Sequence, residues 1–127
     1  MTSARLFHLI GITEAGVLLK RNGAWSPPSL ASEGFVHLSF AHQVAGTLDA
    51  HYADATEILL VEVDHARAGG DLRLEVSRGG SKFPHLYRGL DRADVLRSWR
   101  LSRGPRGWHP PLFGGEAEQD DPQGLSH

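Results

Sequence analysis

A chain of 127 residues with a formal charge of -2 is long enough for one domain that buries roughly two thirds of the surface its unfolded form exposes. It has no cysteine, which excludes disulfide frameworks, thiolate metal sites and cysteine nucleophiles together. The N-terminal apolar run is too short for a secretory signal and no stretch approaches the ~20 apolar residues of a membrane span, so a cytoplasmic protein with neither membrane nor nucleic-acid partners is expected.

The first element in chain order is a strand over "RLFHLIG" (5–11). A short helix follows over "TEAGVLLKRNG", with Thr13 as N-cap, Glu14 in its first turn and Asn22-Gly23 as its stop. "AWSPPSL" (24–30) is expected to be irregular, because consecutive prolines fix φ and remove donors. "EGFVHLSF" then reads as a strand over 34–40 with Val36, Leu38 and Phe40 on one face and His37 and Ser39 on the other. From Ala41 the spacing of Val44, Leu48 and Tyr52 predicts a helix. "EILLVEV" (57–63) has the continuous apolar look of a central strand.

After a turn at "DHARAGGD", "LRLEV" (72–76) alternates again, with Leu72, Leu74 and Val76 opposite Arg73 and Glu75. "SRGGSKFP" (77–84) is a glycine-bearing loop and "HLY" (85–87) a short extended piece. "DRADVLRSW" is expected to form a short helix capped by Asp91, leading into a last strand around Ser98 to Leu101. Ten of the thirteen basic residues fall between Arg67 and Arg106, whereas 110–127 carries Glu116, Glu118, Asp120 and Asp121 and no basic residue. Such a Pro-, Gly- and acid-rich end is expected to be a flexible acidic tail on a single domain spanning 1–109.

Three segments share one design, an apolar face backed by a polar pair: His37 with Ser39, Arg73 with Glu75, and His85 with Tyr87. His8 on the first strand is a fourth candidate. Hydrogen-bonding and titratable groups gathered in a concavity are the ingredients of a binding or catalytic site. The loop residues Arg78, Gly79, Gly80 and Phe83 are candidate ligand contacts, since two glycines let a backbone approach a phosphate or ribose, although the loop matches neither a Walker motif nor G-x-G-x-x-G. The histidines and Glu75 have the chemistry of metal ligands, but no local spacing pairs two of them, and no metal is expected. Ser39 does not sit in the G-x-S-x-G elbow of a serine nucleophile.

"ASEGFVHLSFAHQV" (31–44) and "LRLEVSRGGSKFPHLYRGL" (72–90) together resemble the two signature blocks of the prokaryotic domain-of-unknown-function 952 family, with the likeness running from about Leu6 to Gly107. At "YRGL" that family usually reads tyrosine, glycine, proline, leucine, so Arg88 marks a change in the local turn or in a substrate contact. The resemblance implies a fold similar to the ADP-ribosyltransferases, whose split sheet binds NAD in a cleft without a Rossmann motif. Carried over residue by residue, it implies His8 or His37 as the ribose contact, Ser39 as the pocket hydroxyl and Glu75 as the catalytic carboxylate.

The expected protein is therefore an α+β domain with a small, split, curved, mostly antiparallel sheet and short helices. Its cleft takes a small-molecule or nucleotide ligand, with Glu75 and His37 in catalytic roles and His8, Ser39, Arg78, Gly79, Gly80, Phe83, His85 and Tyr87 as ligand contacts. The resemblance adds NAD as the ligand and ADP-ribosyl transfer as the reaction. Two other readings of the same residues are a non-catalytic binding module for a nucleotide-like or anionic ligand, and an acid/base enzyme acting on another small metabolite.

Overall fold

The computed structural model describes residues 4–111. Its centre is a four-stranded antiparallel sheet in the order β4-β1-β5-β9, formed by Leu6–Ile10 (β1), Ser39–Phe40 (β4), Glu57–Val63 (β5) and Val95–Ser102 (β9). A second sheet, β3-β7-β6, is built from Val36–His37 (β3), Leu72–Val76 (β6) and Lys82–Leu86 (β7), and Ala24–Trp25 (β2) pairs with Leu90–Asp91 (β8) as a two-stranded ribbon. The short helices are Ile12–Leu19 (α1), Pro28–Glu33 (α2), Val44–His51 (α3) and His65–Ala68 (α4). No helix among the described residues is long and apolar enough to cross a membrane.

All five residues of β1 are buried, because the central sheet is covered on both sides. Leu6 and Ile10 pack with Val61, Val63, Val36, Leu38 and Leu86 in one core cluster, while Phe7 and Leu9 pack with Leu60, Val44, Leu48 and Trp108 in the other. His8 shares the face of Leu6 and Ile10 by strand alternation. It is thus a polar group set into the apolar side that looks towards the second sheet.

The stretch expected as one strand over 34–40 is two. Val36 and His37 pair with Leu86 and His85 of β7, and the N–H of Leu38 still donates to the carbonyl of Pro84. From Ser39 the chain pairs with Phe7 of β1 instead. One extended segment thus leaves one sheet for the other at Leu38, and the two sheets diverge there. The apolar face is as expected, with Val36, Leu38 and Phe40 all buried.

Four local expectations are corrected. The cap of α1 is Gly11 rather than Thr13. The proline-rich segment is regular: Ala24 and Trp25 form β2, and Pro28 opens α2 at the first turn, where its missing N–H costs nothing. "DHARAGGD" forms α4 and a 3-10 turn, with the Asp64 carboxylate accepting from the N–H of Ala66 at 3.0 Å. The region 91–99 is no α-helix, but a 3-10 turn over Arg92–Asp94 followed by β9. Trp99 and Leu101 pack in one core and Val95, across a bulge, in the other, and pairing along the whole of β5 decides for the strand. The sequence from 112 onward, most of the expected tail, lies outside the described residues.

Arg88 has a structural role. Its guanidinium donates to Asp71 at 3.2 Å, to both oxygens of Asp94 at 2.9 and 3.1 Å, and to the carbonyls of Gly89 and Arg67. Arg88 therefore ties the β7–β8 turn to α4 and to Asp94. Arg88 is not among the residues around the cleft.

Candidate functional site

Where the two sheets part, a cavity of about 380 Å³ opens between β1, the 36–40 segment and the β2–α2 connection. His8, Trp25, His37, Ser39, Tyr52 and Phe83 are among its walls. The volume lies at the lower end of the range for small-ligand sites.

His8 is 7 % exposed. Its Nδ1 lies 2.9 Å from the carbonyl of His37, and its Nε2 lies 3.3 Å from the indole Nε1 of Trp25. A carbonyl only accepts and an indole N–H only donates, so the ring is the neutral tautomer with its proton on Nδ1. Burial agrees with that assignment, since it lowers the pKa to about 4, outweighing the hydrogen bond to the His37 carbonyl. His8 therefore accepts from the Trp25 indole through the lone pair of Nε2 at neutral pH. It also holds the split together, because it lies on one sheet and bonds the backbone of the other.

Ser39 is buried and its Oγ lies 3.1 Å from Oγ1 of Thr47. Thr47 donates to the carbonyl of Gln43 at 3.1 Å, so the proton between the two hydroxyls belongs to Ser39. The lone pairs of Ser39 then remain available as acceptors. Tyr52, on the far wall, donates to the carbonyl of Leu9 at 3.4 Å, and burial raises its pKa.

The second sheet carries the other expected residues. Register pairs His37 with His85, His85 with Arg73, and Phe83 with Glu75, so all five side chains project from one face. On that face Glu75 Oε1 accepts from the Tyr87 hydroxyl at 2.6 Å and from His85 Nδ1 at 2.8 Å. The Tyr87 hydrogen bond first, and the His85 one second, lower the Glu75 pKa, while the carboxylate raises that of Tyr87. Glu75 is therefore ionised and Tyr87 protonated at neutral pH. Phe35 stacks on the His85 ring at 3.9 Å and meets the His37 ring edge-on at 4.8 Å. Arg73 lies over the Tyr87 ring at 5.3 Å. His85 is 3 % exposed, and its Nε2 has no partner among the described residues.

The expected residues thus fall into two neighbouring groups. His8, His37, Ser39 and Phe83 line the cavity. Glu75, His85 and Tyr87 form a hydrogen-bonded cluster on the same face of the second sheet, joined to the cavity wall through His37, whose ring lies 5.3 Å from that of His85. His37 is half exposed, and its Nε2 lies 3.1 Å from Glu33. Gly79 and Gly80 are elsewhere: with φ of 68° and 82° they make the left-handed turn between β6 and β7, exposed and away from the cavity walls. Of Arg78 only the backbone is described, in the same turn.

Sequence reasoning passed over Trp25, Thr47 and Tyr52. For Trp25 a signal existed, since an indole N–H beside a proline pair must find an acceptor if buried. Thr47 and Tyr52 carry no such mark, being placed at the cavity by the docking of α3.

A family model described as a protein of unknown function, DUF952, matches residues 13–98. The crystal structure of protein CC0527 from Caulobacter crescentus is similar, with a TM-score of 0.71 and 30% identity over 89% of this chain and 97% of that one. The solution NMR structure of CC0527 gives 0.70 and 28%, covering 82% and 90%. No curated protein matches the chain.

Proposed function

The chain belongs to the DUF952 family of proteins of unknown function, and from that premise we propose that its cleft is the substrate site of an ADP-ribosyl-transfer-type enzyme acting on NAD or a related nucleotide. The observation that carries this reading is the change of sheets at Leu38, which turns a strand with alternating polar residues into the floor of a cavity. One group there is free to accept from a sugar hydroxyl, the Oγ of Ser39, and the neutral Nε2 of His8 can do so where a hydroxyl replaces the Trp25 indole. The cavity volume suits one nucleoside-sized half of a dinucleotide.

In such a transfer the bond from ribose C1′ to the nicotinamide nitrogen breaks, nicotinamide leaves with the bonding electron pair, and an acceptor nucleophile such as water forms the new bond to C1′ and gives up its proton to solvent. The ribose ring gains positive charge in the transition state. An ionised carboxylate held in place beforehand stabilises that charge without reorganising, and Glu75, fixed by Tyr87 and His85, is such a group. Ser39 orients the ribose, joined by His8 where a ribose hydroxyl replaces the Trp25 indole, and the aromatic ring of Phe83 supplies an apolar wall.

A second reading has its own observation. Glu75 lies beside the cavity rather than among its walls, and one of its oxygens already accepts two hydrogen bonds, which suits a binding module with no chemistry. Nicotinamide release from NAD, together with NAD binding by calorimetry, separates the two. An enzyme is expected to lose about 100-fold or more of its turnover in Glu75→Gln with affinity nearly unchanged. Binding of NAD with no nicotinamide release by the wild type would instead establish the module.

A further inference from the structure

We propose that β6 is a self-complementary edge through which two copies of this chain pair, joining their three-stranded sheets into one of six strands. The alternation in "LRLEV" assigns Leu72, Leu74 and Val76 to one face, and an apolar strand face is ordinarily covered by core. Here only Leu72 packs against the core, while Leu74 is 49% and Val76 65% exposed. Among the described residues β6 is the outer strand of its sheet, with β7 on one side only. An uncovered apolar edge strand is a template for another strand.

The direction of the backbone groups follows from Pro84. Its carbonyl accepts from Leu38, so it faces β3, away from β6. In an antiparallel pair, residues alternate between those bonded to the partner and those facing away. Leu74, opposite Pro84, therefore faces away from β7, whereas Arg73 and Glu75 bond to His85 and Phe83. The flanking bonds keep the same parity, from the N–H of Tyr87 to the carbonyl of Asp71 and from the N–H of Ser77 to the carbonyl of Ser81. Leu72, Leu74 and Val76 thus direct N–H and C=O outward, and these are also the residues with apolar side chains.

The charges select both the occupant and the register. In an antiparallel pair of two β6 strands centred on Leu74, Leu74 meets its own counterpart, Leu72 meets Val76, and Arg73 of each copy stands opposite Glu75 of the other. Centring on Arg73 would oppose Arg73 to itself and Glu75 to Asp71, and centring on Glu75 would oppose two carboxylates. Like charges directly opposite destabilise a strand pair. Of these three registers the Leu74 one satisfies backbone, apolar face and charge at once, and it generates the two-fold isologous contact typical of homodimers. A five-residue strand pair is a small interface, so the dimer is expected to be concentration-dependent.

Sedimentation of the full chain from about 10 µM to about 1 mM tests this range of affinities directly. The wild type is expected to shift from monomer towards dimer, and Leu74→Lys to weaken association at least tenfold. Leu74 is exposed, so the variant should fold, which circular dichroism would verify. Arg73→Glu alone and Glu75→Lys alone each place like charges opposite and are expected to remain monomeric. Mixed in equal amounts they restore two opposite-charge pairs, so the mixture is expected to dimerise. A wild type that stays monomeric throughout, a dimer indifferent to Leu74→Lys, or a mixture that fails to associate would overturn the proposal. None of these outcomes depends on what the cleft binds.

Discussion

Replacing Asp94 with alanine is expected to cost about 3 kcal/mol of folding stability, a large share of the roughly 5–15 kcal/mol that holds a small domain together. The Asp94 side chain has no solvent exposure. It accepts from Arg88 through both oxygens, from Arg67 at 3.0 Å, and from the N–H of Asp91 at 2.8 Å. Burial by itself would raise the carboxyl pKa, but the hydrogen bonds from Arg88, Asp91 and Arg67 outweigh it and hold the pKa below the usual range. The variant strands two guanidinium groups and leaves an amide without its acceptor. Because both arginines keep some contact with water, the cost should sit at the low end for a broken buried pair. Asp94→Asn, which keeps an acceptor but loses the charge, should fall between. Urea unfolding measures the series, and a loss under about 1 kcal/mol for the alanine variant would contradict this account of the network.

Acidification should destabilise the fold through His8 by about 3 kcal/mol, all of it lost between roughly pH 6.5 and pH 4. The folded-state pKa is about 4, whereas an unfolded histidine titrates near 6.5. Between those values the unfolded chain binds a proton that the folded chain refuses, so stability falls as pH falls. Above about 6.5 both states are neutral and the contribution is complete. Carboxylates titrate in the same window, so the readout is the difference between wild type and His8→Gln, whose amide can bond the His37 carbonyl without protonating. The variant should gain on the wild type as pH drops. A stability difference that stays constant from pH 7 to pH 4 would mean that His8 is not buried in neutral form.

Alternation and apolar runs made much of this fold readable. They located the face of Val36, Leu38 and Phe40, the central strand β5 and the polar face of β6. They could not reveal which strand a segment pairs with, and for that reason the switch of sheets at Leu38, the feature that opens the cavity, was invisible. Leu74 and Val76 make the same point from the other side, since alternation reports which residues share a face and says nothing of what covers it. Val95 and Trp99 stand four apart, a helical spacing, yet they pack in opposite cores across a bulge that long-range pairing with β5 sets. At the cleft, residue chemistry singled out His8, His37 and Ser39. The division of the candidates into a cavity wall and the Glu75, His85, Tyr87 cluster depended on register between strands far apart in the chain. Gly79 and Gly80 were candidate ligand contacts because the sequence cannot separate glycine needed for a positive φ from glycine needed for close approach.

The central claim is that the cleft at the sheet divergence is where a nucleotide binds, and mapping NAD onto the uniformly labelled full chain by NMR tests it most directly. Titration with NAD should perturb the backbone amides of His8, Leu38 and Ser39, the indole N–H of Trp25 and the ring signals of His8, with the β9 amides unmoved. His8→Gln should weaken the response. Perturbations confined to other surfaces, or none at millimolar NAD, would contradict the account.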